Sequence, residues 1–230
     1  FLVLTPHLVV SLGILVSILL TAFWIKTPAA TNWFQLSITV FLMGMAVLFW
    51  KIPHTFLMGP SVACNGLLSG IKLIPGFCLS FISASMAYLF FVSRRALQLD
   101  QINKPEVGIL WLFILLGAGL AICAHNLMTL YLGIEMISLS FYVLVGMRRD
   151  HAPSSEAGIK YVILGAFSSA ILLFGMSLVY GLTGSVNYDD IKIATKGISV
   201  WHDSGVDPIL YYIYLVASLC IFVGLFFKLS

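Results

Sequence analysis

Glu135 is the residue best placed to do chemistry, because it stands in Tyr131-Leu132-Gly133-Ile134-Glu135-Met136-Ile137-Ser138-Leu139-Ser140, inside an apolar run near 127–147. A run of about 20 apolar residues is what a helix needs to cross a bilayer. Glu135 comes eight or so residues into the run, and a rise of about 1.5 Å per residue then puts it near the membrane centre. A carboxylate at that depth costs about 2.5–3.5 kcal/mol on insertion scales unless it is paired, hydrated or protonated. Tyr131, Ser138 and Tyr142 lie at i−4, i+3 and i+7 from it, so all four share one helix face, which should look into a bundle. Burial disfavours the charged carboxylate and a neighbouring cation favours it, which leaves such a group able to exchange a proton near neutral pH. The plainer alternative is a carboxyl that only ties helices together by hydrogen bonds.

Lys228 is the second candidate. It follows nearly twenty apolar residues, with Gly224 one turn earlier and Ala217 further back giving it a small-residue flank that a neighbouring helix could approach. Its spacing alone leaves open whether it sits at mid-depth or snorkels to an interface. Lys160, at the mouth of the next-to-last span, is the third, weaker candidate for proton movement; snorkelling is the plainer reading there too. His125 sits in a tight turn, where a histidine is more often simply wet. Gly165, Ser168, Ser169 and Gly175 are small residues at helical spacing, which reads as packing. Cys64, Cys78, Cys123 and Cys220 show no metal-ligand spacing and read as small hydrophobes. No Gly-rich phosphate loop, nucleophilic triad or metal cluster occurs, so neither a cofactor nor a metal is expected on this chain.

The elements that must position these residues are set by composition. The 230 residues are 60% hydrophobic and 9% charged, with a mean hydropathy of +1.05. Twelve basic and nine acidic side chains cannot cover a water-soluble exterior. The fold class is therefore all-α, a polytopic transmembrane bundle in a lipid bilayer, with spans near 1–25, 34–50, 73–93, 107–124, 127–147, 161–182 and 209–230. These form one transmembrane domain, 1–230, read as the N-terminal part of a longer chain because it begins at Phe1 and stops within an apolar run. The first run lacks the features of a signal peptide.

The spans near 107–124 and 127–147 must form a tight antiparallel hairpin, since only Ala124 to Asn126 or so separates them. The longest connection, about 184–208, carries Tyr188, Trp201 and mixed charges and suits the membrane interface. One set of loops holds Lys26, Arg94, Arg95, Lys104, Arg148 and Arg149; the other holds Lys51, Lys72, Lys192 and Lys196. The positive-inside rule puts the first set in the cytoplasm and the N-terminus outside. The net charge of +3 is spread over these loops, which argues for topology and against nucleic-acid binding.

Residues His125 to Leu144 resemble subunit N of proton-pumping NADH:quinone oxidoreductase, respiratory complex I. Arg148-Arg149-Asp150, the segment Ser155 to Ala166 and the terminal Phe227-Lys228-Leu229-Ser230 are similar to the same family. The likeness covers residues 105–230, while 1–104 match only in hydropathy and helix count.

The resemblance implies an antiporter-like fold whose first inverted repeat this chain would hold, up to the middle of a broken seventh helix. It implies that Glu135 and Lys228 are the family's paired acid and base, with Lys160 matching a lysine of less certain role. The implied function is proton translocation, as a subunit of a translocase, driven by quinone reduction elsewhere in the complex. NADH, FMN, iron–sulfur clusters and quinone would belong to other subunits, and the partners would be other membrane-arm subunits. The implied location is a bacterial inner membrane. A membrane subunit of a multi-subunit sodium/proton antiporter is the main alternative; a seven-helix receptor and a purely structural membrane subunit also fit the topology.

Overall fold

In a computed structural model of the chain, the described residues are 11–16, 18–19, 37, 40–41, 44, 62–63, 68–69, 78, 80–89, 92, 105–148, 150–204 and 208–229. Five helices account for most of them: α1 Pro105–Ile122, α2 Leu127–Val145, α3 Ala152–Thr183, α4 Tyr188–Ser204 and α5 Pro208–Leu229. A shorter helical segment, Ser80–Leu89, precedes them. The described residues are thus nearly all helical, apart from two-residue strands Val62–Ala63 and Leu68–Ser69, which pair antiparallel with Val62 opposite Ser69. The expected spans near 1–25 and 34–50 fall largely outside the described residues, while Ser80–Leu89 lies within the span expected near 73–93.

Among the described residues, α2, α3 and the segment Ile209–Lys228 of α5 are long and apolar enough to cross a membrane. Their outward faces carry large apolar side chains such as Leu132, Leu139, Ile163, Phe167, Leu219 and Phe222, all exposed. In water such surface would be unfavourable; facing lipid it is the expected solvent contact.

Helix α1 packs along α2, and the turn Cys123–Asn126 that joins them is as short as the sequence requires. Asn126 caps α2, its side-chain oxygen accepting from the Thr129 amide at 2.7 Å. Gly117 and Gly133 let the two backbones touch: a Cβ on Gly133 would lie 2.7 Å from the Gly117 carbonyl oxygen and the Ala121 amide nitrogen. Such small-residue contacts replace the hydrophobic drive that lipid removes. On its other side α1 joins Ile14, Ala87 and Cys123 in a buried cluster through Val107, Leu112 and Leu115.

Helix α3 begins at Ala152, well before the apolar run expected at 161, and spans 32 residues, about 48 Å. The hydropathy pattern hides this start because its first turns are polar. Pro153 suits the first turn, and the Ser154 and Ser155 amides donate to the His151 carbonyl. The Lys160 ammonium meets the Glu156 carboxylate one turn back. The helix stops at Gly184, whose φ of +69° is the left-handed conformation glycine adopts freely.

The connection near 184–208 contains a helix of its own, α4, with Asp189 and Asp190 in the first turn, where the helix dipole favours negative charge. It is stitched to the start of α2: the Leu127 amide donates to the Val186 carbonyl at 3.0 Å and the Tyr188 amide to the His125 carbonyl at 3.2 Å. Asp190 accepts from the Ser185 hydroxyl at 2.7 Å and the Asn187 amide at 3.3 Å. These donors hold its carboxyl below the ordinary aspartate value. Helix α5 then runs unbroken through Leu229 and packs mainly on α3.

Candidate functional site: a carboxylate and an ammonium inside the bundle

Glu135 is the ninth residue of the 19-residue α2, close to its midpoint. Its Oε1 accepts from Lys228 Nζ of α5 at 2.5 Å and from Ser169 Oγ of α3 at 2.5 Å. Three helices therefore meet on one carboxylate oxygen. The Lys228 side chain is 5% exposed and that of Glu135 is 19% exposed, so this is a largely desolvated ion pair held by a third, neutral donor. Removing two charges from water is costly, and only close contact plus further hydrogen bonds offsets it. The arrangement supplies both.

The stripe read on α2 is present. Tyr131 lies one turn before Glu135 on the same helix, and Lys228 Nζ lies 3.4 Å from Ser138 Oγ. Ser138 Oγ donates to the Ile134 carbonyl within its own helix at 2.9 Å. Tyr142, a turn further on, packs edge-to-face with Tyr161 of α3, ring centres 4.8 Å apart. Gly165 makes room for it, since a Cβ there would sit 1.8 Å from the Tyr142 hydroxyl oxygen.

Lys228 does not snorkel to a surface; α3 holds its helix in place. Ser168 Oγ donates to the Gly224 carbonyl at 2.8 Å, one turn before Lys228, and a Cβ on Gly224 would lie 2.7 Å from Leu172. Ser168 and Ser169 are thus a bracket: one fixes the backbone of the lysine helix, the other the carboxylate. Sequence reading treated both as packing residues. The available signal was their place at mid-length of a span, where a hydroxyl needs a partner.

Lys160 is not brought to this site. Its side chain is 68% exposed and is satisfied by Glu156 on the same helix. His125 lies at the far end of α2, with Nε2 3.3 Å from Asp189 Oδ2. Among the described residues no group of three or more His, Cys, Asp or Glu could hold a metal ion.

A cavity of about 290 Å³ adjoins the pair, lined by Ser138, Tyr142, Tyr161, Gly165, Phe227 and Lys228 among others. It is large enough for several water molecules at roughly 30 Å³ each. A buried acid and base beside a cavity that Ser138, Tyr142 and Tyr161 help to line can hold, exchange and pass on a proton.

Known proteins share this arrangement of chain. The family described as NADH:quinone oxidoreductase/Mrp antiporter, TM, matches residues 124–230. NADH-quinone oxidoreductase subunit N of Ruthia magnifica is 31% identical over 187 residues, covering 81% of this chain and 37% of that protein. Subunit N of Hirschia baltica is 42% identical over 147 residues, covering 61% of this chain and 29% of its own length. The chain thus spans about a third of the length of the curated relatives it matches. In fold it superposes on a chain of the archaeal membrane-bound sulfane sulfur reductase with a TM-score of 0.68 and 22% identity, over 97% of this chain and 43% of that one. A chain of respiratory complex I from Thermus thermophilus gives 0.66 and 20% identity, over 96% and 43%. Residues 124–230 thus match the family of antiporter-like membrane subunits, and over that region and beyond it the chain resembles subunit N of NADH-quinone oxidoreductase.

Proposed function

We propose that this chain moves protons as part of a subunit N of a proton-pumping NADH:quinone oxidoreductase, with Glu135 and Lys228 as the switching pair. The observation that carries this reading is the buried contact between Lys228 Nζ and Glu135 Oε1 at 2.5 Å. While the two are together, each charge compensates the other. When they separate, each is left buried without its partner, and the proton leaves Lys228 along neighbouring hydroxyls and water. A change in field or helix position transmitted from other subunits would drive the separation. Lys160 would at most sit at the mouth of the route, given its exposure.

In this reading the chain has no redox centre; NADH, FMN, iron–sulfur clusters and quinone belong to other subunits, and its partners are further membrane-arm subunits. The proposed place is a bacterial inner membrane, with the N-terminus outside and Arg148 on the cytoplasmic side. The test is Glu135→Gln in the assembled complex: electron transfer continues and the proton-to-electron ratio falls. An unchanged ratio would remove the hypothesis. The family description also names Mrp antiporters, so sodium/proton exchange is the second reading; transport that requires sodium would favour it.

A further inference from the structure

The inner cavity beside Lys228 is neighboured by a larger, more open cleft of about 690 Å³, bounded by Glu106 of α1, Tyr142 to Met147 at the end of α2, and Ser155 to Ile163 of α3. This cleft lies at the Arg148 end of the bundle, where α2 ends and α3 begins. The cleft and the inner cavity share one lining residue, Tyr142. Its ring leans on Tyr161, its hydroxyl is pressed into the space that Gly165 leaves, and Ser138, one turn earlier on the same helix, lines the inner cavity with it. Ser138 in turn is 3.4 Å from the Lys228 ammonium. Polar side chains therefore mark the way from the cleft to the ion pair, and the way passes one phenol.

We propose that Tyr142 is the gate and proton relay between the Glu135–Lys228 pair and the cleft at the Arg148 end, its ring closing the passage and its hydroxyl carrying the proton. This rests on the proton-moving role proposed for the pair. A proton from water in the cleft joins the Tyr142 oxygen as the phenol proton passes to Ser138 Oγ. The Ser138 hydroxyl, turning from the Ile134 carbonyl it otherwise meets, passes its own proton to the neutral Lys228 amine. One proton is gained by Lys228, one is lost by the cleft water, and each hydroxyl ends with the proton count it began with. Transfer in the other direction is the same series reversed.

The test uses the whole complex in proteoliposomes, with proton transport measured for wild type, Tyr142→Phe, Tyr142→Ala and Glu135→Gln. Tyr142→Phe keeps the ring and loses the relay, so transport falls at least about tenfold. Tyr142→Ala removes the ring as well, admits water, and recovers much of the rate. Leu164 lines the inner cavity, and Leu164→Cys reports access: a membrane-impermeant thiol reagent modifies it several-fold faster in the Tyr142→Ala background, with labelling of the same complex lacking Leu164→Cys subtracted. Wild-type transport in Tyr142→Phe, equal loss in the Phe and Ala variants, or unchanged labelling overturns the gate. Lost transport in Glu135→Gln with normal transport in Tyr142→Phe sinks the gate alone, whereas normal transport in Glu135→Gln sinks the pair itself.

Discussion

Lys228 and Glu135, 93 residues apart in the chain, are joined nitrogen to oxygen at 2.5 Å, and the contact ties the last described helix to the middle of α2. Both partners lie on membrane-crossing helices, so the cost of separating them is borne where water is scarce. This makes the pair the natural place to ask what each group contributes.

Truncating either partner alone strands the other. Lys228→Met leaves a buried carboxylate without its cation, and loss of one member of a buried pair costs about 3–5 kcal/mol. The double variant Glu135→Gln/Lys228→Met removes both charges and is expected to recover most of that stability while transporting no protons. Thermal unfolding of the purified complex, run beside a transport assay, separates the two effects. A double variant as unstable as Lys228→Met would mean the charges are not each other's compensation.

Ser169 donates to the carboxylate and Ser168 to the Gly224 carbonyl. Ser169→Ala removes a hydrogen bond to a charged group, about 1.5–3 kcal/mol, whereas Ser168→Ala removes a neutral one, about 0.5–1.5 kcal/mol. The first is expected to alter the pH profile of transport; the second should lower stability and leave that profile in place. Profiles of both variants across about pH 5–9 check this, a range that lies between the carboxylate and amine reference values.

Lys160 and Glu156 form an exposed pair one helical turn apart. Such pairs contribute about 0.3–0.5 kcal/mol. Lys160→Ala is therefore expected to keep near-normal assembly and a transport rate within about twofold of wild type. A large loss of transport in that variant, with assembly intact, would put Lys160 on the proton route.

Asp190 titrates outside the spans. Its carboxylate accepts from Ser185 and Asn187, and these donors lower its folded value. The sign follows: a depressed acid stabilises the folded state at pH above the ordinary value of about 3.9, and the contribution is lost as pH falls through the lower folded value. The segment that joins α3 to α4 should loosen in acid for this reason. Amide hydrogen exchange at residues 185–191, followed as the pH is lowered, should show this step in wild type. Asp190→Asn should abolish it, and a step of unchanged size in that variant would assign it elsewhere.

The helical bundle was legible in the amino-acid sequence because lipid imposes a length and a composition on anything that crosses it. The runs around Glu135 and before Lys228 meet both conditions with no reference to neighbours. The polar stripe Tyr131, Glu135, Ser138 and Tyr142 was legible too, since helix periodicity alone aligns it. The early start of α3 at Ala152 was not, because Ser154, Ser155, Glu156 and Lys160 are polar and a hydropathy pattern reads only apolar length. The helix in the connection after Gly184 was hidden for the same reason.

Which residues touch Glu135 lay beyond any local pattern. Ser169 is 34 positions away and Lys228 is 93; the family resemblance implied the pairing with Lys228, whereas nothing in the neighbourhood of Ser169 marks it as a partner of the same carboxylate. Only the packing of α3 against α5, with Gly224 seated on Leu172 and Gly165 making space for Tyr142, decides that a lysine able to reach an interface instead turns inward. Periodicity acts through the geometry of a single helix, so the sequence could say which face carries the acid. What that face meets depends on how closely separate helices approach, and that distance is set by small side chains far apart in the chain.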